Sequence, residues 1–128
     1  MAITEFDNTY ATCKFTVDTS LTSATSQNIT NGAATLYSLT VNNVANTGAS
    51  NSVGEVYLKV YDSLPDGGII PTSTEPDYIF QITRATTQVI SFPSGLPIAN
   101  GLSLRCVSSA QTNQVGVGNA VIVTAIYK

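Results

Sequence analysis

Apolar and polar residues alternate with a period of two through most of this chain, and no stretch sustains the 3.6-residue period of an amphipathic helix. The pattern predicts strands from near the start to the last residue. Cys13 to Asp18 alternates cleanly, with Cys13, Phe15 and Val17 as the expected inward set. A Ser/Thr/Asn tract from Thr19 to Gly32 follows, holding one weak strand near Gln27-Asn28-Ile29. Thr35 to Asn42 reads as a strand with Tyr37, Leu39 and Val41 on one face and Ser38, Thr40 and Asn42 on the other. Asn43 to Ser52 is a polar loop rich in turn-forming residues.

Val53 to Tyr61 carries the strongest strand pattern. Val56, Leu58 and Val60 share one face; Tyr57, Lys59 and Tyr61 share the other, an amphipathic set suited to a partly covered sheet surface. A long connection from Asp62 to Pro76 contains Asp66-Gly67-Gly68 and an apolar Ile69-Ile70 pair. Tyr78 to Thr83 and Gln88 to Phe92 are the next strands, with residues 84–87 read as a hairpin connection. Pro93 to Pro97 reads as a turn. Leu102, Leu104 and Cys106 are the expected buried side of the following strand, with Ser103 and Arg105 outward. Asn119 to Tyr127 ends the sequence with enough apolar residues to be covered on both faces.

Turn signals at roughly ten-residue spacing therefore predict an all-β protein, a β-sandwich of about seven to eight mostly antiparallel strands. The jelly roll is one form of that architecture. Residues 1–11 read as an N-terminal arm whose large apolar groups are Ile3, Phe6 and Tyr10, and residues 12–128 as a single domain.

Composition narrows the function. The 128 residues include no His and no Trp, only 10% are charged, and the net charge is −3. Without His the sequence lacks the ready base for a Ser or Cys nucleophile and the commonest metal ligand. The five basic residues, Lys14, Lys59, Arg84, Arg105 and Lys128, are scattered, which argues against a nucleic-acid surface. No apolar run is long enough to span a bilayer, and the first residues lack a signal-peptide pattern, so synthesis in a cytosol is expected. Cys13 and Cys106 then read as buried thiols, with a stapling disulfide as the alternative.

Two constellations have candidate chemistry. The carboxylates Asp62, Asp66, Glu75 and Asp77 resemble a glycosidase-like pair only in being close in sequence; turn capping and loop solubility explain them better. The Tyr57/Lys59/Tyr61 face is the better binding candidate, toward a protein or a sugar, with a covered sheet face as the other reading. No catalytic residue, metal site or cofactor is expected.

Three segments carry a family resemblance: VYLKVYDSLPDGG (residues 56–68) with the Ile-Ile-Pro segment after it, ISFPSGLPIANGLSLRC (90–106) and GNAVIVTAIYK (118–128). Together they resemble small virion proteins of tailed bacteriophages, most closely those of marine podovirus-like phages, over about Thr35 to Lys128. The resemblance implies a capsid-associated decoration, cement or knob-like protein, located on the virion after synthesis in the host cytoplasm and present as a homo-oligomer or in many copies. Its partners would be the major capsid protein or other virion proteins, with no direct contact to nucleic acid or membrane. Ile3, Phe6, Tyr10, Tyr57, Lys59, Tyr61, Ile69 and Ile70 are the candidate interface residues. A glycan-binding host-recognition module of a tail or capsid fibre is the alternative, and a small glycan-degrading enzyme a more remote one.

Overall fold

Alternation of this kind builds a core when two sheets face each other, and the protein forms such a pair by winding back on itself. The computed structural model describes residues 12–18 and 27 as backbone, and residues 28–47, 54–64, 71, 73–108, 119 and 121–128 in full. Among the described residues eight strands run in sequence order: β1 (Thr12–Asp18), β2 (Gln27–Asn28), β3 (Ala34–Asn42), β4 (Val56–Asp62), β5 (Tyr78–Ile82), β6 (Thr87–Ile98), β7 (Leu102–Val107) and β8 (Val121–Tyr127). The pairing is nested: β1 with β8, β2 with β7, β3 with β6 and β4 with β5, all antiparallel. Two further antiparallel pairs, β3·β8 and β4·β7, complete two four-stranded sheets, β1-β8-β3-β6 and β2-β7-β4-β5. This strand order is that of a jelly roll. Among the described residues no helix is long and apolar enough to cross a membrane.

The two inner faces form one core. Leu36, Leu39, Val41, Val121, Val123 and Ala125 come from the first sheet; Val56, Leu58, Val60, Ile82, Leu104 and Cys106 come from the second. Each fully buried Leu, Ile or Val contributes about 2 kcal/mol relative to exposure. Cys106 is buried in this core, packed as a small apolar group.

The inner set of β3 departs from strict alternation. A register shift between Leu36 and Ser38 leaves Tyr37 without a Cα partner on either neighbouring strand. Leu36, rather than the expected Tyr37, is therefore the inward residue, and Tyr37 is half-buried at the bulge. Across from it, β6 runs on through Pro93 instead of turning there, because the same irregularity absorbs the extra residues before Leu96 pairs with Leu36. Gly95 holds φ +80 at this point, and a Cβ would collide with the Thr35 methyl and crowd the Tyr37 ring. As an edge strand, β6 tolerates its prolines.

Residues 83–86 are not a hairpin connection. They carry the backbone from β5 in one sheet to β6 in the other. Ala85, at φ 56, makes the corner, with its N–H donating to the Asn46 carbonyl at 3.0 Å. Thr83 N–H donates to the Gln88 side chain at 2.9 Å, and Thr86 Oγ1 to the Thr83 carbonyl at 2.6 Å. A hairpin turn would leave both strands in one sheet; here side-chain bonds stabilise the crossing instead.

A buried asparagine pair ties this end of the sandwich together. Asn43 Nδ2 donates to the carbonyls of Gly54 (2.8 Å) and Thr83 (3.2 Å). Asn46 Nδ2 donates to Asn43 Oδ1 (2.8 Å) and to the Asn119 carbonyl (3.0 Å), while Asn119 N–H donates to Asn46 Oδ1 (2.7 Å). Both asparagines are buried, so these bonds replace water at the start of β4, the β5–β6 crossing and the approach to β8.

Candidate functional site

Of the expected interface residues, Ile3, Phe6, Tyr10, Ile69 and Ile70 lie outside the described residues. Tyr57, Lys59 and Tyr61 do share the outer face of the second sheet, opposite Val107, Arg105 and Ser103 of β7. That face is covered over β4 and β7 and open toward β5, where Ile79 opposite Lys59 is exposed. Lys59 is 1% exposed and Tyr61 0%, Arg105 and Ser103 are buried, and Tyr57 is half-buried. Lys59 and Tyr61 therefore do not present a binding surface in this conformation, and Arg105 does not point into solvent as the alternation implied. The covered-sheet reading fits the burial.

The covered face has an unusual electrostatic arrangement. Lys59 and Arg105 sit directly opposite one another in the β4·β7 register. Arg105 Nη1 donates to the Tyr61 hydroxyl at 3.3 Å, and its guanidinium lies 5.4 Å from the centre of the Tyr61 ring. Lys59 and Arg105 each make further interactions as well. Burial lowers the Lys59 pKa from its usual 10.5, and the facing Arg105 charge lowers it further. Burial raises the Tyr61 pKa above 10.0, against the opposing pull of the Arg105 charge and hydrogen bond.

These shifts predict a measurable alkaline signature. Between the folded pKa of Lys59 and 10.5 the unfolded state holds more protons, so stability rises with pH across that window. Above 10.0 the folded state retains the Tyr61 proton that the unfolded state has lost, so stability then falls. Thermal melting from about pH 8 upward should show the rise and then the fall. Lys59→Met should remove the rise and keep the fall; a variant that still shows the rise would assign it to another group.

The carboxylates at the opposite end of the sandwich hold backbone rather than face each other across a cleft. Asp62 accepts hydrogen bonds from the N–H groups of Ala99 (3.0 Å), Asn100 (2.8 Å) and Gly101 (3.3 Å). Asp77 Oδ2 accepts from the backbone N–H of Asp62 at 2.7 Å. Burial alone would raise the Asp62 pKa, but the three N–H donors outweigh it and the net shift from 3.8 is downward. Glu75 is exposed, and Asp66 lies outside the described residues. Among the described residues no group of three or more His, Cys, Asp or Glu is placed to hold a metal ion.

Exposed apolar residues occur on the edge strand β5, at Tyr78 and Ile79, and on the outer face of the first sheet. In the β1·β8 register, Val17 faces Ile122, Phe15 faces Thr124 and Cys13 faces Ile126. Directly opposed residues of an antiparallel pair share a face, and Ile122 and Ile126 are on the outer one, 36% and 38% exposed. Cys13, Phe15 and Val17 thus occupy outward register positions, the reverse of the expected phase, while Lys14 and Thr16 are opposite the buried Ala125 and Val123. A one-residue offset is enough to reverse every position in a strand. Further across the sheet, Thr40 of β3 follows Thr124 and pairs with Val89 of β6, which is 64% exposed.

Two features make this face the candidate site. None of its register positions across β1, β8, β3 and β6, from Cys13·Ile126·Ser38·Ser91 to Val17·Ile122·Asn42·Thr87, is charged. Its exposed apolar groups, Ile122, Ile126 and Val89, sit on β8 and on the edge strand β6, so the patch reaches a sheet edge. The signal for it in the sequence was the double-sided apolar pattern of Val121 to Tyr127; the phase of β1 had none. No protein-family model matches this sequence, and no curated protein matches it.

Proposed function

We propose that this protein is a structural component of a tailed-phage virion, a decoration or cement protein that binds the outer surface of the capsid shell and works by adhesion. The observation that carries the reading is the uncharged outer face of the first sheet, where Ile122 and Ile126 of β8 and Val89 of β6 are exposed. A strand whose apolar side faces outward gains from burial only when another surface covers it. A lattice of capsid subunits supplies such a surface many times over, which suits a protein present in many copies. The jelly roll adds support by analogy, since viral capsid modules, lectins and cupins all use it. A cupin-like metal centre draws largely on His, and this sequence has none.

The experiment is co-sedimentation of purified protein with phage shells that lack it. The double variant Ile122→Asp, Ile126→Asp places charge on the face without touching the inner core. It should bind about 30-fold more weakly, because both apolar contacts are lost and carboxylates must be desolvated. Its melting temperature should change little. If the double variant coats shells as fully as the unaltered protein, this face is not the adhesive one and the reading loses its support.

The glycan-binding alternative draws on one observation. Tyr78, on the exposed edge strand β5, is 41% accessible and is free to stack against a sugar ring. Glycan-array binding abolished by Tyr78→Ala, together with no affinity for shells, would favour it.

A further inference from the structure

Two Asn-Gly sequences occur in this protein, Asn31-Gly32 and Asn100-Gly101, and the fold treats them in opposite ways. We infer that Asn31 is a site of spontaneous covalent modification, deamidation through a succinimide, and that the structure protects Asn100 from the same reaction.

In this reaction the backbone nitrogen of the following residue loses its proton and attacks the asparagine Cγ. The new bond from that nitrogen to Cγ closes a five-membered ring, the Cγ–Nδ2 bond breaks, and ammonia leaves with the proton. Water then adds to either ring carbonyl and gives aspartate or isoaspartate. The reaction needs a side chain free to swing over the backbone and an N–H that nothing holds. Glycine favours it by adding no side chain in the path of the ring and by allowing the backbone to rotate.

Asn31-Gly32 meets each requirement. Asn31 is exposed, in a bend between β2 and β3, and its side chain makes no hydrogen bond among the described residues. The space where Gly32 would carry a Cβ is empty to 4 Å. The one side-chain bond to this dipeptide lies on its far side: Thr30 Oγ1, which accepts from Leu102 N–H at 2.9 Å, donates to the Gly32 carbonyl at 3.0 Å. The attacking nitrogen is not involved in it.

Asn100-Gly101 is held instead. Asp62 Oδ1 accepts from both the Asn100 and Gly101 N–H groups, at 2.8 and 3.3 Å, and the Gly101 carbonyl accepts from Ser63 N–H at 2.8 Å. Gly101 is buried, with Leu64 and the Thr30 carbonyl beside the position a Cβ would take. A carboxylate against an N–H opposes loss of its proton, and the anchored peptide cannot rotate into the attacking geometry.

Conversion at Asn31 adds one negative charge to a protein whose net charge is −3, and it requires no enzyme. The test is incubation of the intact folded protein at mildly alkaline pH and physiological temperature, followed by peptide mapping. Each event appears as a mass gain of about 1 Da, with isoaspartate identified separately. Asn31 is expected to convert at least tenfold faster than Asn100. Gly32→Ala, which the open space accommodates, should slow conversion at Asn31 by roughly tenfold without unfolding the protein. Asp62→Ala, held below its melting temperature, should expose Asn100 to conversion. Equal rates at the two positions, faster conversion at Asn100, or an Asn31 unchanged while a peptide spanning residues 27–36 is fully converted would each overturn the inference.

Discussion

Asn46→Ala is expected to lower the folding stability by about 3 kcal/mol, because it takes the partner from three polar groups on Asn43 and Asn119 at once. Removing the side chain takes the donor from Asn43 Oδ1 and from the Asn119 carbonyl, and takes the acceptor from Asn119 N–H. For a protein of this length that is a fall in melting temperature of about 10 °C. Asn46→Asp makes the mechanism visible. It keeps an oxygen for Asn119 N–H but sets a second oxygen against Asn43 Oδ1 and the Asn119 carbonyl, so it should cost at least as much as alanine. Asn42 provides the control, being partly exposed with one bond of its own, Val44 N–H to its Oδ1 at 3.1 Å; Asn42→Ala should cost under about 1 kcal/mol. Thermal and denaturant melts of the three variants decide the matter. An Asn46→Asp protein as stable as the unaltered one would show that the donor role assigned to Nδ2 is wrong.

The asparagine network also shows where sequence reading succeeds and where it stops. The strands were legible because alternation is local: β3, β4, β7 and β8 fall within a few residues of their expected limits. The inner sets Val56/Leu58/Val60 and Leu102/Leu104/Cys106 were legible for the same reason. Which sheet each strand joins is a non-local property. The residues between β5 and β6 look like a hairpin turn, and only their bonds to Asn43 and Asn46, about forty positions away, reveal a crossing between sheets. Asn43 and Asn46 themselves read as loop polarity, since the sequence contains no mark that distinguishes a solvated asparagine from one bonded in the interior.

Phase failed for a related reason. β1 has a well-formed alternation, but alternation says which residues share a face and not which face meets the core. The same gap explains Lys59, Tyr61 and Arg105. Their polarity left a binding face and a covered face both open, and the structure buries all three side chains. The pairing sets β1, an expected core strand, at the edge of the sheet beside the exposed Ile122 and Ile126 of β8.

At the other end of the sandwich, Asp62→Ala is expected to cost about 3 kcal/mol, as three backbone N–H groups lose a charged acceptor together. The pH dependence separates this role from simple packing. The folded pKa lies below 3.8, so the Asp62 carboxylate contributes its full stabilisation above that value. As pH falls past 3.8 the unfolded state takes up the proton first, and the contribution is lost as pH descends through the folded pKa. Asp62→Asn keeps the shape and an acceptor oxygen but has no charge to titrate. The stability difference between the unaltered protein and Asp62→Asn should therefore be constant at neutral pH and shrink below 3.8. A difference that stayed constant down to about pH 2 would mean the three N–H groups do not depend on the charge. The loop from Ala99 to Gly101 would then owe its position to neighbours such as Ser63, whose N–H reaches the Gly101 carbonyl at 2.8 Å.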